Sequence, residues 1–469
     1  MLRPALISAL ALTAMLSGCG GSGGQGEPAP KATSDPAVST AAATDALAAV
    51  PAAATLTART VAPADADLLE IYRKLHAAPE LSFEEAKTSA LLAQQMQSMG
   101  FEVTTGLGED WVKAKATKDV GKVLPGVGGY GVVAVLRNGD GPTVLIRTDM
   151  DALPVPEQTG VPFASTVRAE TWTGVNSPVM HACGHDGHMS ILLGAAAMLL
   201  RTENREHPIR LIFQPSEEKA AGAAAMIAEG ALDGVAYIFG GHLDRMYPVG
   251  SIIVHSGAVN ASTDEFLIEI EGKGAHAARP QEGIDAIVIA CSLVTALQTL
   301  ITRQLPPSEP AVITVGQLHA GTAHNVIAPK ARLSGTIRAI RESVRCQLKA
   351  SLERMANSIC EAYGAKFSIK YLDSSPAVVN SHQMAEVSRQ VAAEIYGNSN
   401  ILTLGETNMG GEDFGFFLEK VAGSFVRYGA KPIGRESYPA HSSKFDFDEA
   451  ALPLAARYLA GLACRSILD

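Results

Sequence analysis

The alternation of apolar and polar positions separates an N-terminal part without periodicity from a long folded part that begins near residue 65. Residues 20–63 contain almost no large apolar side chain, so they cannot bury enough surface to offset the entropy of ordering. From residue 67 to residue 100 apolar positions recur at helical spacing, with an interruption at residues 76–80. The pattern therefore predicts a disordered N-terminal segment followed by two helices.

After residue 100, short apolar runs are followed by polar or reactive side chains. Three of these runs predict buried strands, at residues 143–146, 209–213 and 235–239. The polar residues that follow them include Asp149, Glu217 and His242, and helix-like stretches lie between the runs. Alternating strands and helices predict an α/β sheet, in which ligands bind beyond the carboxyl ends of the strands. We therefore expect these polar side chains to meet at one edge of the sheet.

The first residues are typical of a targeting signal rather than of a folded element. Arg3 precedes an apolar run at residues 4–16 that is too short to span a membrane. The run leads into Leu16-Ser17-Gly18-Cys19, which resembles a bacterial lipoprotein signal. That resemblance implies that residues 1–18 are removed, that Cys19 carries the lipid and that residues 19–64 form a disordered tether. An ordinary signal peptide, with a cysteine there by chance, is the alternative.

The lipid signal also predicts a location. Gly20 follows Cys19, rather than the aspartate that commonly retains lipoproteins at the inner membrane, so the outer membrane of a two-membrane cell is favoured. The protein would be exported, face the periplasm and touch the membrane only through the lipid. Its 38 basic and 48 acidic residues give a net charge of −10, and there is no basic stripe with interleaved aromatic residues. Nucleic acid is therefore not an expected partner.

The richest candidate site is the run of residues 181–188, which contains three histidines, a cysteine and an aspartate. Cys183 and His185 are two positions apart, so on an extended segment both side chains point to the same side and can share a metal ion. Their soft and borderline ligand atoms favour a metal such as zinc. A histidine-rich turn without metal is the alternative.

Glu217 and Glu218 form a second candidate site. Adjacent carboxylates repel each other, and their placement after a buried strand is costly unless a cation or a bound proton relieves the repulsion. Neighbouring side chains diverge, so one carboxylate can bind metal while the other acts as a general base. A solvated surface corner is the alternative.

Several long motifs now point to a family. They are residues 147–154, residues 180–188, residues 213–218 and residues 410–414. Together they resemble the amidohydrolase branch of the aminoacylase/carboxypeptidase superfamily of dinuclear metallopeptidases. Hippurate hydrolases, N-acyl-amino-acid amidohydrolases and plant hydrolases of indoleacetyl-amino acids belong to that branch. The resemblance covers nearly everything from residue 65 to the C-terminus.

The resemblance implies a role for each matching residue. Two divalent metal ions, zinc or manganese, are expected as cofactors, and the implied ligands are Cys183, His185, Glu218, His242 and His441. Glu217 matches the general base of the family. His441 lies in a segment that no spacing argument connects to the other ligands, so only the resemblance identifies it.

The resemblance also implies the fold class: an α/β protein with a mixed-sheet catalytic domain, helices on both of its faces, and an inserted smaller α+β lid and dimerisation domain. The domain boundaries that follow are 65–260 and 373–469 for the catalytic domain and 261–372 for the insertion.

Within the insertion, His276 matches a histidine that reaches the active site of a partner subunit and stabilises the tetrahedral oxyanion. A homodimer is therefore expected. Asn325 and Arg338 match substrate-binding segments, and an arginine can hold a carboxylate through two parallel hydrogen bonds. A surface-loop role for His276 and a solvent-facing strand position for Arg338 are the alternatives.

The function implied by these features is metal-dependent hydrolysis of the amide bond of a small N-acyl amino acid or related amide. Two other classes of protein are weighed against it. The first is a non-catalytic small-molecule-binding lipoprotein on the same fold, which the presence of Glu217 disfavours. The second is a structural zinc protein, whose sites are usually closed clusters of Cys and His without a carboxylate pair beside them.

Overall fold

The computed structural model describes residues 65–465 apart from residues 122, 124, 172, 173 and 203–206. The predicted signal peptide and tether lie outside the described residues. The helices are α1 (Asp65–His76), α2 (Ala86–Ser98), α3 (Glu109–Val120), α4 (His185–Leu199), α5 (Gly222–Ala228), α6 (Ala286–Gln304), α7 (Glu342–Ala362), α8 (His382–Tyr396), α9 (Gly415–Leu418) and α10 (Ala451–Cys464). Short 3₁₀ turns lie at Glu217–Lys219, Pro280–Glu282 and Asn398–Asn400.

The strands fall into one large sheet, one four-stranded sheet and three small pairs. They are β1 (Glu102–Leu107), β2 (Gly131–Leu136), β3 (Thr143–Asp149), β4 (Arg168–Glu170), β5 (Asn176–Pro178), β6 (Ile209–Gln214), β7 (Val235–Pro248), β8 (Ile252–Ile253), β9 (Gly257–Asn260), β10 (Ser262–Glu271), β11 (Ala275–His276), β12 (Ala311–Ala320), β13 (Val326–Ile327), β14 (Lys330–Ala339), β15 (Lys366–Ser375), β16 (Val378–Asn380), β17 (Ile401–Leu402) and β18 (Ala422–Lys431).

The large sheet is mixed, with the order β1-β2-β6-β3-β7-β18-β8-β17. Its central strands β6, β3, β7 and β18 run parallel, whereas β1 and β2 are antiparallel to their neighbours. The runs predicted as buried strands are β3, β6 and the first part of β7. Because the central strands are parallel, their carboxyl ends lie at the same edge of the sheet.

Helices cover both faces of this sheet, as predicted. On one face α1, α4 and α10 pack against the strands, and the buried core there includes Leu68, Ile146, Leu192, Phe239 and Leu459. On the other face α5 and α9 bury a second cluster, which includes Leu145, Met226, Ile238 and Phe417. Residues in α4 are buried on almost every side, because that helix lies between the sheet and two other helices.

The third strand differs from the prediction, which ended it before His242. β7 continues to Pro248, because β18 pairs with it in parallel register from Tyr237 to Pro248. His242 therefore lies inside a long strand, beside Arg427 of β18. The extra pairing partner fixes the backbone of this ligand position more firmly than a loop would.

A four-stranded antiparallel sheet, in the order β12-β14-β10-β15, is formed by strands between Ser262 and Ser375. Burial alternates along β10, and its buried side chains pack against α6 and α7 in a separate core. Among the described helices, α6 alone is long and apolar enough to cross a membrane, but Ile289, Leu293 and Leu297 bury its inner face against this sheet. The predicted α/β class with a smaller α+β part is confirmed.

Candidate metal centre

The carboxyl edge of the central strands brings the predicted reactive residues together. β3 ends at Asp149, and the chain after β6 turns through Pro215 and Ser216 into the short 3₁₀ segment that carries Glu217 and Glu218. α4 begins at His185, so the Cys183 segment enters the same edge from the side. The positions of Asp149, His185 and the Glu217-Glu218 pair follow from where a buried strand or helix begins or ends.

The first ligand group consists of Cys183, His185 and His242, whose ligand atoms all lie within 4.8 Å of one another. Cys183 Sγ is 3.4 Å from His242 Nε2. Nδ1 of His185 donates to the backbone oxygen of Asp151 at 2.8 Å, and Nδ1 of His242 donates to the backbone oxygen of Leu243 at 2.7 Å. Both rings therefore keep Nε2 free to bind a metal ion.

The second ligand group consists of Cys183, Glu218 and His441, again with ligand atoms within 4.8 Å of one another. His441 Nε2 lies 3.3 Å from Glu218 Oε1. The backbone N–H of His441 donates to the oxygen of Ala182 at 2.7 Å, which fixes this distant segment beside Cys183. His441 has a positive φ of 67°, an uncommon conformation for a residue other than glycine. The two groups share Cys183, so the five predicted ligands form one continuous centre.

The chemistry of these residues fits a pair of divalent cations. His185 Nε2 and Glu218 Oε1 are buried and make no hydrogen bond of good geometry, although His441 Nε2 lies 3.3 Å from Glu218 Oε1. Such buried polar atoms are costly unless a cation binds them. Burial, followed by the charge of Glu218, raises the pKa of the Cys183 thiol to about 12. A cation bound between Cys183 and Glu218 would lower the pKa of the thiol, because its charge offsets both the burial and the negative charge of Glu218. A metal-bound thiol is deprotonated.

Buried carboxylates orient the groups around the ligands. Asp149 accepts from His188 Nδ1 at 2.6 Å and from Arg147 Nη1 at 2.7 Å, while His188 Nε2 accepts the backbone N–H of Leu243 at 2.9 Å. Both nitrogens of His188 are thus occupied, so it supports the centre without binding metal. Asp186 faces away and bonds His76 at 2.7 Å.

Glu217 lies beside the ligands and has an unusual environment. Its Oε2 is 3.9 Å from His185 Nε2, and one of its oxygens lies within 4.8 Å of carboxylate oxygens of Glu412 and Asp413. Burial, followed by the charges of Glu412 and Glu218, raises the pKa of Glu217 well above its ordinary value. A carboxylate that accepts a proton readily is suited to general base catalysis.

Arg147 and the Glu412-Asp413 pair form a buried polar cluster beside Glu217, and the sequence motifs gave these residues no individual role. Arg147 is fully buried and donates to Asp149, to Asp413 at 2.9 Å and to Gln214 at 2.8 Å. Burial raises the pKa of Asp413 to about 7, although Arg147 opposes the shift. The adjacent carboxylates of Glu412 and Asp413 could have indicated this cluster from the sequence, since such a pair is costly to bury without a cation.

Among the described residues, the candidate ligand groups include none of His276, Asn325 and Arg338, the site residues predicted between residues 261 and 372. His276 is exposed, and its Nδ1 accepts the backbone N–H of Ala278 at 3.1 Å. β11 and β13 pair with His276 opposite Val326, and the Asn325 backbone oxygen accepts from the N–H of Ala277. Arg338 is half-buried and donates to Thr263 Oγ1 and to the oxygen of Met409. Within the described part of the chain, no hydrogen bond or ion pair joins His276 to a metal ligand.

Comparison with known proteins gives consistent matches. Residues 145–465 match the model of peptidase family M20/M25/M40. Thermostable carboxypeptidase 2 of Saccharolobus solfataricus is 38% identical over 85% of this chain and 95% of its own length. An N-acetylcysteine deacetylase of Bacillus subtilis is 36% identical over 84% and 96% of the two chains. The crystal structure of Bacillus subtilis YXEP, a dinuclear metal-binding peptidase, aligns with a TM-score of 0.67 at 34% identity, covering 85% and 97% of the two chains.

Proposed function

The chain belongs to peptidase family M20/M25/M40 and is a metal-dependent hydrolase of amide bonds, and from this premise we propose that it cleaves small N-acyl amino acids or related amides. The products would be a carboxylic acid and an amino acid. The observation that carries the proposal is the placement of Glu217 against a continuous centre of five ligands that includes the shared Cys183.

Two divalent metal ions are the cofactors of such an enzyme. The residues that would hold them are Cys183, His185, Glu218, His242 and His441. When bound, the ions polarise the scissile carbonyl group and increase the acidity of the attacking water. The thiolate and imidazole ligands favour zinc, and the carboxylate also admits manganese.

Glu217 would carry the proton through the reaction. Its carboxylate takes a proton from the water as the water oxygen attacks the carbonyl carbon. It then delivers that proton to the amide nitrogen as the carbon–nitrogen bond breaks. Asn325 and Arg338 would hold the carboxylate of the amino acid, and His276 would donate a hydrogen bond to the developing oxyanion.

A panel of N-acetyl-, N-benzoyl- and indoleacetyl-amino acids tests the proposed substrate class. We expect the metal-loaded protein to release free amino acid from at least one of these groups, as detected by a ninhydrin assay or mass spectrometry. Folded, metal-loaded protein that releases no amino acid from any member of the panel would contradict the proposed substrate class.

We also propose that the active protein is a homodimer in which His276 serves the site of the partner subunit. His276 is exposed and separate from the metal ligands of its own chain. The neighbouring surfaces support self-association, because β12 is an edge strand with exposed Val312 and Leu318, and α6 exposes Ile287 and Val288.

Membrane attachment through Cys19 is a further proposal, motivated by the resemblance of residues 16–19 to a lipoprotein signal and by the following segment, which has no apolar periodicity. Intact-mass analysis of protein extracted from the membranes of a native host should show loss of residues 1–18 and added acyl mass. Cys19→Ser is the matched variant and should remain unacylated. A wild-type protein that is soluble and unacylated in that host would contradict the anchor and its outer-membrane location.

A further inference from the structure

The turn that carries Glu217 has a backbone that most residues avoid. Ser216 has a φ of 56° and Ala220 a φ of 47°, both in the left-handed region. Neither residue is glycine, so surrounding contacts must hold the turn in this conformation. The direction of the Glu217 side chain depends on that backbone, because the two residues are adjacent.

Glu85 provides the contact that holds Ser216. Its side chain is fully buried, and its Oε1 accepts the backbone N–H of Ser216 at 2.8 Å and the Ser216 hydroxyl at 3.2 Å. The same hydroxyl oxygen accepts the backbone N–H of Phe83 at 2.8 Å. Phe83 also has a positive φ, of 69°, so two unusual backbone conformations meet at one serine hydroxyl.

A second buried carboxylate, that of Asp151, binds the next two backbone N–H groups of the turn. Asp151 Oδ1 accepts the backbone N–H of Glu217 at 3.1 Å, and Asp151 Oδ2 accepts that of Glu218 at 3.0 Å. The Ser82 hydroxyl donates to Asp151 Oδ2 at 2.7 Å. Three consecutive backbone N–H groups, from Ser216 to Glu218, are thus each bound by a buried carboxylate. Residues 82–85 take part in both contacts, because Glu85 binds Ser216 and Ser82 binds Asp151.

We infer that Glu85 is a positioning residue for the general base: it holds the Ser216 turn so that the Glu217 carboxylate faces the metal centre. The inference rests on the proposed function, because it assigns Glu85 to the reaction that Glu217 performs. Asp151 cannot supply this alone, since it binds the two N–H groups that follow Ser216 and not that of Ser216 itself.

The environment of Glu85 also indicates which substitution should preserve its role. Burial, followed by the charge of Asp151, raises the pKa of Glu85 well above its ordinary value, and its Oε2 is buried without a partner. The side chain therefore acts through the acceptor Oε1 alone. Glutamine has the same shape and the same acceptor, whereas leucine has the bulk without it.

The test compares Glu85→Leu, Glu85→Gln and the matched control Glu84→Leu in metal-loaded protein. Glu84 is adjacent, and no described hydrogen bond joins it to the Ser216 turn. For Glu85→Leu we expect kcat to fall about 10–100-fold with KM nearly unchanged, as for other groups that orient a reacting residue. Glu85→Gln should recover most of the wild-type kcat, and Glu84→Leu should retain it.

Wild-type kcat in folded, metal-loaded Glu85→Leu would overturn the inference. So would a loss that disappears once activity is expressed per metal-loaded site, because a structural role alone predicts that result. If Glu85→Leu does not fold, Ser216→Ala decides the matter: it removes the hydroxyl that joins Phe83 to Glu85. Its kcat should fall with KM nearly unchanged, and wild-type kcat would overturn the inference.

A crystal structure of Glu85→Leu, or of Ser216→Ala, makes the test independent of the substrate. The inference predicts a relaxed turn and a displaced Glu217 carboxylate, and an unmoved carboxylate would overturn it.

The assay of the wild-type protein distinguishes failure of the proposed function from failure of the role proposed for Glu85. A wild-type protein that cleaves no amide contradicts the proposed function, whereas an active wild type with an equally active Glu85→Leu contradicts only the role of Glu85.

Discussion

Glu217→Gln should keep its metal ions and lose its turnover. The five ligand side chains remain, but the amide cannot accept the proton that the attacking water must lose. Loss of general base catalysis costs about 10²–10⁴-fold in rate, so kcat should fall by that factor. The measurement combines steady-state kinetics with the metal content of the same preparation, determined by elemental analysis.

Glu218→Gln is the matched control for that substitution. The Glu218 carboxylate belongs to the ligand group with Cys183 and His441, so this variant should lose metal together with activity. The contrast between the two variants distinguishes a proton carrier from a ligand. Metal-replete Glu217→Gln with wild-type turnover would contradict the assignment of the base.

His276→Ala should lose about 2.7–4 kcal/mol of transition-state stabilisation, the usual effect of removing one oxyanion donor. Its metal content should not change, because His276 belongs to none of the ligand groups found among the described residues. His382→Ala, at an exposed histidine at the start of α8, is the control and should retain activity.

Complementation tests whether His276 acts across subunits. Glu217→Gln and His276→Ala, each inactive alone, are mixed and allowed to exchange subunits. A hybrid dimer contains one site with both an intact Glu217 and an intact His276, so random exchange should recover about one quarter of wild-type activity. Activity that stays at the level of the separate variants, despite demonstrated exchange, would contradict the shared site.

The sequence predicted the central strands β3, β6 and the first part of β7, but it did not predict β18, which is buried over most of its length. An unbroken apolar run such as residues 143–146 has few alternatives to a buried strand, and it is β3 in the structure. The meeting of Glu217 and His242 at one sheet edge then follows from parallel strand direction. The extent of β7 was missed, because two glycines at 240–241 and the charged pair Asp244-Arg245 interrupt the apolar run, and pairing with β18 continues the strand through them.

The placement of His441 and the role of Glu85 depend on contacts between residues far apart in the sequence. His441 reaches the centre through a backbone hydrogen bond to Ala182, and no local periodicity records such a contact. Glu85 lies at the start of a helix, where a glutamate is ordinarily a solvated side chain. Its burial against Ser216 depends on how residues 80–85 pack beside the segments that follow β3 and β6, which is a property of the tertiary structure.

Hydrolysis measured against metal occupancy tests the central claim most directly. Protein stripped with a chelator is titrated with Zn²⁺ or Mn²⁺ while free amino acid is measured from the best N-acyl substrate. We expect no release by the stripped protein, and activity that rises until about two ions are bound per chain. Full turnover by metal-free protein, or metal binding at Cys183, His185 and Glu218 without any return of activity, would contradict it.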